Sequence, residues 1–521
     1  MAVYKLFPEK DASIYSAYSA MNTGLDAILD VANLVVDRNP TAQVARSLIK
    51  FDNNQILDVV NNIMKAPGTG VDVGKLVPLT GSSNWNDKWD ARLKLYVAKA
   101  TNVIIDSKVY VYAVSSSWNN GSGQYLDKLQ NYTGVSWKYE DFSGSADVWP
   151  AGGWSQFSTG SYDTSWNLSK AEATGSGGSW YTGSGGYVRE TGTQINISES
   201  YQEYTLRSTK DLNVDVSPIV TMWYSSSAGI SLPGLTSKDN DGFIVKWEDS
   251  KEFQTVSAIS PQISYYSVDT NTIYPPQLEF RWQDFLYSTS SGDFKQGRTL
   301  TGSYPTNELT SSISCSFTQS LPTPTNSGDG TGATFIGVFN SSSMTSVYVK
   351  ELGLGYKAGD TLQWSTTQIN SLPNVSGAVS TANVTLSTYD IQQLDVIDTP
   401  DIYCALDNNA GVFYSESINQ FRLNVRPEFP ARTFKTSSLD TKQHALTTSS
   451  YYAIKDLDTN EFVVDFDKTY TQISCDATSS YFTVYMNGLE PERYYNILIQ
   501  TEVDGNTVVL DENYYFKVVN G

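Results

Sequence analysis

The chain has 521 residues, of which 40% are hydrophobic, 13% are aromatic and only 17% are charged. A chain with this apolar and aromatic content is expected to fold, which excludes a wholly disordered protein. The 35 Lys and Arg residues against 55 Asp and Glu residues give a net charge of −20, a field that repels phosphate backbones and argues against a nucleic-acid partner.

The first residues do not show the pattern typical of an export signal. MAVYKLFPEKD has no basic region followed by an apolar run, so we expect no signal peptide. Nowhere does the sequence contain about 18 consecutive apolar residues, so we expect no membrane insertion. A protein that is made in the cytoplasm and leaves the cell only by lysis fits both expectations.

The first clear periodic segment predicts a helix. Its apolar residues recur at the i, i+3, i+4, i+7 and i+8 positions of one helical face. A Pro and a Gly follow this segment and are expected to end the helix. The apolar face consists of Ile56, Val59, Val60, Ile63 and Met64.

A Gly- and Ser-rich segment from about residue 141 to 186 contains four Trp residues and the run TGSGGSWYTGSGG. This composition predicts long, irregular loops on a scaffold rather than a core. Exposed rings of this size suit protein interfaces or the C–H faces of sugars, and we favour the interface. We expect at least two of the four Trp to bury against another chain or domain. The candidate contact residues are Trp149, Trp154, Trp166, Trp180 and Tyr181.

Short alternating segments predict half-buried strands through the rest of the chain. LEFRW, FRLNV and YFTVYMN place apolar residues at every second position, and Gly, Pro, Asn and Ser clusters bound them. The same period predicts a set of core residues in the first 290 residues. These are Leu48, Phe51, Leu95, Val111, Leu278 and Phe280.

The sequence therefore predicts an all-β, multi-domain fold. We expect a β-sandwich or jelly-roll domain at residues 1–290 that carries the Trp-rich insertions. A β-domain at 291–425 contains a Gly-rich module at about 326–388, and an immunoglobulin- or fibronectin-like β-domain occupies 426–521, a segment without Trp.

The residues that most often carry chemistry are few. The single histidine, His444, lies in the polar run TKQHALTTSS with no G-x-S-x-G motif nearby, so we interpret it as structural or exposed. Three widely spaced cysteines have no metal-ligand spacing, so we expect three small buried side chains, with one buried pair as the alternative. They are Cys315, Cys404 and Cys475.

One segment partly copies a calcium-binding loop. Asp456, Asp458 and Asn460 match its first three ligands and Asp467 its twelfth, but Glu461 stands where the loop needs Gly. The following EFVVDF is typical of a strand, so we favour a hairpin turn. The sequence thus predicts no catalytic residue, no metal and no cofactor.

The first 285 or so residues resemble the DNRLRE-type β-sandwich, a module of many secreted bacterial surface proteins and glycosidases. The matching pieces appear in the family's order, although the helix and the Trp-rich loops are insertions. They are KDASIYS, MNTGLDAILDV, ARSLIKFD, ARLKLYV, VYVYAVSSSWNNGSGQY, YTGVSWKY, LNVDVSPIVTMW, DGFIVKWE and PPQLEFRW.

The rest of the chain resembles structural proteins of marine, T4-like cyanophages. GTGATFIGVFNSSSMTSVYVKELGLGYKAGDTLQW is similar to a short Gly-rich module of those phages, and the C-terminal run from RPEFPARTFKTSS to YYFKVVNG is the most specific match. This resemblance implies a virion component of the tail, neck or baseplate, assembled in the host cytoplasm.

Three functions remain open at this point. The first is a non-enzymatic structural subunit that contacts other virion proteins and is expected to be a homo-oligomer. The second is an adhesin or tail fibre that binds a glycan of the host envelope. The third and weakest is a polysaccharide hydrolase, because 55 acidic residues supply carboxylate pairs by chance but nothing singles one out.

Overall fold

The computed structural model of the chain is mostly β-structure, with 49% strand and 10% helix, so the predicted all-β, multi-domain fold is confirmed. The residues that it describes are 2–33, 44–64, 84–85, 89–103, 106–125, 133–142, 146–149, 177–181, 186–189, 194–196, 200–205, 209, 211–229, 237–252, 261–294, 298–303, 316–340, 343–353, 355–373, 375, 382–387, 389–430, 433–435, 438–440 and 443–521.

The described chain divides into two compact units. The first unit comprises Ala2–Asp284 with Asn487–Glu490, and the second comprises Phe285–Met486 with Pro491–Gly521. The β-sandwich character expected from the alternating segments is present.

The strands of the first unit are predominantly antiparallel. In the described part most of them form a four-stranded sheet in the order β1-β17-β6-β14 and an eight-stranded sheet in the order β13-β8-β15-β4-β3-β16-β7, with β2 paired to β4, and the others form the small sheets β10-β9 and β12-β11-β5. In chain order the strands are β1 Ala2–Leu6, β2 Lys10–Tyr15, β3 Ile28–Asn33, β4 Val44–Lys50, β5 Asn84–Trp85, β6 Trp89–Leu95, β7 Val97–Thr101, β8 Ser107–Ala113, β9 Tyr139–Phe142, β10 Ala146–Val148, β11 Gly186–Arg189, β12 Gln194–Asn196, β13 Tyr201–Tyr204, β14 Leu212–Asp215, β15 Phe243–Trp247, β16 Gln262–Tyr266 and β17 Gln277–Trp282.

Period-2 placement explains the core of this unit. Successive side chains of a strand point to opposite faces, so alternate apolar residues share one face. All six core residues predicted from the sequence are fully buried, which confirms that prediction. They are Leu48, Phe51, Leu95, Val111, Leu278 and Phe280.

The predicted helix is present and short. It spans Asn53–Asp58, continues as a π-helical turn over Val59–Ile63, and begins after Asp52, whose carboxylate accepts a hydrogen bond from the Asn54 N–H at 2.9 Å. This N-cap satisfies one of the free amide groups of the first turn. Most of the predicted apolar face is buried, while Ile63 is half-buried.

A second helix, Ser217–Ser227, was not predicted from the sequence. Its residues from Ser217 to Ser225 are all buried, including Trp223, whose ring centroid lies 4.6 Å from that of Phe243 on the eight-stranded sheet. A helix that is covered all round has no polar face, so the 3.6-residue period that reveals amphipathic helices is missing. The Pro in its first turn is a start signal that the sequence did offer. A shorter helix covers Asp249–Glu252.

The second unit continues with β18 to β39. Its larger described sheets have the orders β19-β23-β22-β20, β27-β33-β30-β37-β36 with β28 paired to β30, and β29-β39-β38-β34-β35. The strands are β18 Ser290–Phe294, β19 Thr299–Leu300, β20 Ser316–Ser320, β21 Thr325–Asn326, β22 Thr334–Asn340, β23 Ser343–Glu351, β24 Thr361–Trp364, β25 Ala382–Thr385, β26 Ile391–Gln393, β27 Asp395–Val396, β28 Ile402–Asp407, β29 Val412–Tyr414, β30 Ile418–Pro427, β31 Thr433–Lys435, β32 Ser438–Asp440, β33 His444–Ala445, β34 Ser450–Asp456, β35 Phe462–Val464, β36 Ser474–Cys475, β37 Ser480–Tyr485, β38 Tyr494–Val503 and β39 Asn506–Val519.

The cores of the second unit also follow the alternating pattern. Apolar residues between Phe294 and Ile391 form one buried cluster, and the helix Thr366–Asn370 contributes Ile369 to it. The alternating residues predicted in FRLNV and YFTVYMN are buried, namely Phe421, Leu423, Val425, Phe482, Val484 and Met486. Among the described helices, none has the length and apolar character needed to cross a membrane.

Candidate functional site

One face of the eight-stranded sheet is covered by a layer of Trp side chains. We call the face that bears Ala12, Ile14, Leu48 and Ile244 the covered face, because these residues are fully buried. The opposite face bears Val111 and Phe243, which are buried as well. The covered face forms one hydrophobic cluster with the tryptophan layer, which consists of Trp118, Trp137, Trp149 and Trp180.

The interpretation of Trp149 and Trp180 as surface contact residues is wrong. Trp149 is 2% exposed and its indole N–H donates to the Ser136 carbonyl at 2.9 Å. Trp180 is 6% exposed and pairs with Val114 through a β-bridge. Both rings pack inside the first unit itself. Glycine-rich loops cannot build a core alone, but these loops complete a core with a sheet face that is already apolar.

Tyr181 is likewise buried at 6% exposure, and its N–H donates to the Ala113 carbonyl at 2.9 Å. The Lys238 ammonium lies 5.2 Å from the centre of its ring. Tyr181 is therefore no surface contact residue either. Trp154 and Trp166 lie outside the described residues.

Arg46 of β4 contacts two rings of the tryptophan layer from the side of the sheet. Its guanidinium lies 4.8 Å from the Trp137 ring centre and 5.0 Å from that of Trp180, and it donates to the Gly177 carbonyl at 2.5 Å. It also forms a bidentate pair with Glu252, with N–O distances of 2.7 and 2.8 Å. A planar guanidinium suits this role, because it can pair with a carboxylate in its plane and contact rings on its faces.

The Arg46–Glu252 pair is buried, and Lys246 forms a second ion pair with Glu252. The Lys246 ammonium lies 3.1 Å from the Glu252 carboxylate and 2.6 Å from that of Asp249. Buried charges are costly unless they are paired and hydrogen-bonded, and here each one is. This network was not predicted from the sequence. A signal existed: Arg46 stands in β4 at the alternate position between Val44 and Leu48, where a core side chain is expected.

Two glycines let the chain pass close to Arg46. Gly177 and Gly178 both have φ of +92°, a conformation that side-chain-bearing residues rarely adopt. A Cβ atom on Gly177 would lie 2.5 Å from an Arg46 nitrogen and 2.7 Å from the Trp137 ring. The Gly pair in SGGSW therefore brings the backbone onto the guanidinium, rather than making a flexible spacer.

Asn22 ties two neighbouring loops together. Its amide donates to the carbonyls of Asn120 and Val135 at 2.7 and 2.8 Å, and its side-chain oxygen accepts from the Gly123 N–H at 2.7 Å. The side chain is fully buried. Because one amide bonds to both loops, the segments that carry the first two Trp of the layer are held in fixed positions.

A strip of tyrosines continues from the tryptophan layer along β8 to β13. We call Tyr110, Tyr112 and Tyr201 the tyrosine strip: Tyr112 stacks at 6.3 Å on Trp180, and Tyr110 lies 5.5 Å from Tyr112 and 5.2 Å from Tyr201. Tyr201 is 38% exposed, and the Lys108 ammonium lies 4.5 Å from its ring centre.

Burial raises the pKa of Tyr112 well above its usual value, and nearby acidic groups add to the effect. Its hydroxyl therefore stays protonated and can donate a hydrogen bond. The strip thus offers aromatic faces and hydroxyls at the margin of the tryptophan layer.

The segment at Asp456 that partly copies a calcium-binding loop forms a hairpin turn in the second unit, as the sequence analysis favoured. β34 and β35 pair around it, and the Asp456 carboxylate accepts from the N–H groups of Asp458 and Thr459 at 2.8 and 3.0 Å. Arg493 donates to both oxygens of the same carboxylate at 2.6 and 2.9 Å. Burial alone would raise the pKa of Asp456, but these hydrogen bonds lower it below its usual value. The Asp456 carboxylate therefore stabilises the turn.

The remaining predicted positions are structural. His444 is half-buried in the short strand β33. Cys404 and Cys475 are free and buried as expected, and burial raises the pKa of each thiol to about 12. Cys315 lies outside the described residues. Within the described ranges, no group of three or more His, Cys, Asp and Glu side chains could hold a metal ion.

The second unit presents a second aromatic surface, which is exposed. We define the tyrosine face as the side chains of Val412, Tyr414, Phe462, Tyr494 and Tyr515. They belong to the sheet β29-β39-β38-β34-β35, and their strand neighbours Phe413, Tyr495 and Phe516 point into the core.

Comparison with known proteins finds no family model that matches the chain and no match among curated proteins. The resemblance to the DNRLRE-type sandwich and to cyanophage structural proteins therefore stays a prediction from the sequence motifs.

Proposed function

We propose that the chain is a non-enzymatic structural protein of a bacteriophage particle, a tail, neck or baseplate component that works by contacts with other virion proteins. The observation that carries the proposal is the exposed apolar surface of the second unit. Seven large apolar side chains there are more than half exposed: Tyr389, Val412, Tyr414, Ile418, Phe429, Tyr494 and Val509.

The first unit offers a measure of how unusual this surface is. Among its described residues, the most exposed large apolar side chain is Leu25, at 41%. Soluble monomers seldom leave large contiguous apolar patches open to water, because such patches drive association. A protein whose second unit exposes so many apolar side chains is expected to work in an assembly.

Two carboxylates of the described residues are held as anions by neighbouring cations. Burial would raise the pKa of Glu279, but Lys94, Arg281 and Lys5 hold it well below its usual value. The Asp476 carboxylate is held by Arg422 in the same way, at a pKa of about 2. These carboxylates stabilise sheet surfaces as permanent anions. The predicted resemblance of the C-terminal run to cyanophage virion proteins suggests that such a subunit would belong to a phage particle.

Mass spectrometry of purified particles tests the proposal directly. We expect the chain at a fixed ratio to the major capsid protein, retained through gradient purification and a high-salt wash, and immunogold labelling should place it on the tail, neck or baseplate. A host protein of similar abundance in the lysate is the control. Absence of the chain from washed particles would contradict the proposal.

A carbohydrate-binding adhesin is the second candidate, and the tyrosine strip favours it. Aromatic rings beside charged groups can stack on sugar rings while their neighbours bind hydroxyls. Tyr110 and Tyr201 supply the rings, and Lys108 supplies a cation beside them.

An infection-blocking assay separates the two candidates. A free adhesin should lower the infection of host cells in a dose-dependent way, and Tyr201→Ala should remove that effect. Tyr348→Ala, at an exposed Tyr of the second unit, is the matched control. A structural subunit should leave infection unchanged, and release of reducing sugar would instead indicate a hydrolase.

A further inference from the structure

The side chains of the tyrosine face are contiguous. Val412 and Tyr494 are both direct strand partners of Lys517, so the three side chains form one row across the sheet. Tyr515 is two residues from Lys517 and therefore points to the same side. Directly paired residues of neighbouring strands lie within contact distance of one another, so the face is one surface and not a set of scattered residues.

A second row extends the face to the opposite edge of the sheet. Tyr515 pairs with Asn496, which pairs with Lys455, and Lys455 pairs with Phe462. The Lys455 ammonium lies 5.8 Å from the Phe462 ring centre. The face thus crosses from β29 to β35 on one side of the sheet, and Asn496 at the centre of this row is 4% exposed.

The exposed area is large enough for an interface. Tyr414 is 62% exposed, Tyr494 53%, Phe462 46% and Tyr515 45%. A buried aromatic side chain removes roughly 150–250 Å² from water, so four half-exposed rings leave roughly 400 Å² open. A stable protein interface buries roughly 800 Å² per partner, so these rings alone supply about half of one side.

The charges of the face are balanced within one chain. Lys517 lies in the face and pairs with Glu492, and Lys455 adds a second cation. These three groups give the face no excess of negative charge, so two copies can meet there in a two-fold dimer. This matters for a chain with a net charge of −20, because two uniformly acidic surfaces would repel each other.

We infer that the tyrosine face is a docking surface for a second copy of this chain. The inference rests on the proposed function, because it names one of the contacts that a virion subunit would make. The apolar rings form the centre of the interface, and Lys455 and Lys517 keep that surface from being acidic.

Sedimentation velocity of the full chain, over a wide range of micromolar concentrations, tests the inference. We expect a concentration-dependent dimer. Tyr494→Glu places a carboxylate at the centre of the face and should raise the dissociation constant at least about tenfold, because central aromatic residues carry much of the binding energy. Val412→Lys, which adds a cation instead, should weaken the dimer as well.

Tyr348→Glu is the matched control, since Tyr348 is 43% exposed on β23 of the same unit and lies outside the face. It should leave the dimer unchanged. Circular dichroism and melting temperature verify that all variants fold. A photo-reactive residue in place of Tyr515 should join isotopically labelled and unlabelled copies through peptides of the tyrosine face.

Several results would overturn the inference. They are a monomer at all concentrations, a dimer that resists both face substitutions, cross-linking in particles only to a different protein, or binding to a host polysaccharide that Tyr494→Glu abolishes. A chain that is monomeric yet present in washed particles would overturn self-docking alone. A dimer absent from particles would overturn the virion proposal alone.

Discussion

Aromatic side chains are placed in opposite ways in the two units. In the first unit, Trp149 and Trp180 come from irregular, Gly- and Ser-rich sequence, yet they are 2% and 6% exposed. In the second unit, Tyr414 and Tyr494 come from regular strands, yet they are 62% and 53% exposed. Local sequence context therefore does not decide the burial of an aromatic ring. Burial depends on whether the chain supplies another layer over that sheet face.

The connections between strands explain the difference. In the first unit the segment between β8 and β13 is long enough to return over the sheet and bring Trp149 and Trp180 onto it. In the second unit β38 and β39 are joined by Asp504 and Gly505 alone, both with positive φ, as tight hairpins require. A two-residue turn cannot cover a face, so the tyrosine face stays open.

The largest expected effect comes from the cation beneath the tryptophan layer. Arg46→Ala should cost about 3–5 kcal/mol, because it leaves the buried Glu252 without its bidentate partner. Hydrogen exchange of the β4 peptide, with urea unfolding followed by Trp fluorescence, measures this. Arg422→Ala is the control. Its pair with Asp476 is about one-third exposed, so we expect a loss of roughly 0–1 kcal/mol. Equal losses would show that the network contributes no more than a surface pair.

A neighbouring pair of residues in β29 sharpens the comparison. Phe413 is buried between Phe421 and Phe516, with ring centres 5.5 and 5.7 Å away, so Phe413→Ala should cost about 3 kcal/mol. Tyr414→Ala should change stability by less than about 0.5 kcal/mol, because that ring is exposed. Thermal unfolding followed by circular dichroism compares the two. A large loss for Tyr414→Ala would mean that the tyrosine face is covered.

The glycine beside Arg46 tests whether the loop is a fixed part of the core. Gly177→Ala should cost roughly 1 kcal/mol for its positive φ and roughly 1 kcal/mol or more for crowding against Arg46 and Trp137. Gly229→Ala, with φ of +65° and open space around its Cβ position, should show only the first cost. Trp fluorescence during urea unfolding suits both, because 11 of the 12 Trp precede residue 285. Equal stability losses for the two substitutions would mean that the loop at Gly177 shifts to relieve the crowding.

A further contrast is a pH dependence in the first unit, which changes with conditions rather than with packing. Burial raises the pKa of Asp11 from 3.8 to about 8, although the Val268 N–H donates to it at 2.7 Å. The folded state therefore binds its proton more tightly, so this group's contribution to stability is full at low pH and declines as pH rises from about 4 to 8. Asp11→Asn keeps an acceptor for Val268 and should gain stability relative to the wild type over that window.

The gain should grow as the pH rises through this window, and urea unfolding at several pH values measures it. Asp456→Asn is the control of opposite sign. The pKa of Asp456 is lowered, so that substitution should be most harmful at neutral pH and least harmful in acid. A gain for Asp11→Asn that does not change with pH would rule out the titration of Asp11 as its source.

The sequence by itself determined the alternating strands of this protein and the turn at Asp456. Alternation in LEFRW and FRLNV predicted strands and inward residues such as Phe280 and Leu423, because side-chain direction in a strand follows position alone. The turn at Asp456 was equally readable, since its carboxylate caps backbone groups two and three residues away. The helix Ser217–Ser227 was not predicted, because burial on all sides removes the periodic signal of an amphipathic helix.

Only the tertiary structure decided which sheet faces are covered. Trp149 and Trp180 were predicted to lie on the surface, but they pack on residues such as Ile14 that are more than 130 positions away in the chain. Arg46 and Glu252 are 206 residues apart, so no local pattern could pair them. Coverage of a face depends on the path of distant segments, and those segments meet only when the chain has folded. For the same reason, alternation along β38 places Tyr494 on the side opposite to Tyr495 but does not decide whether that side stays exposed.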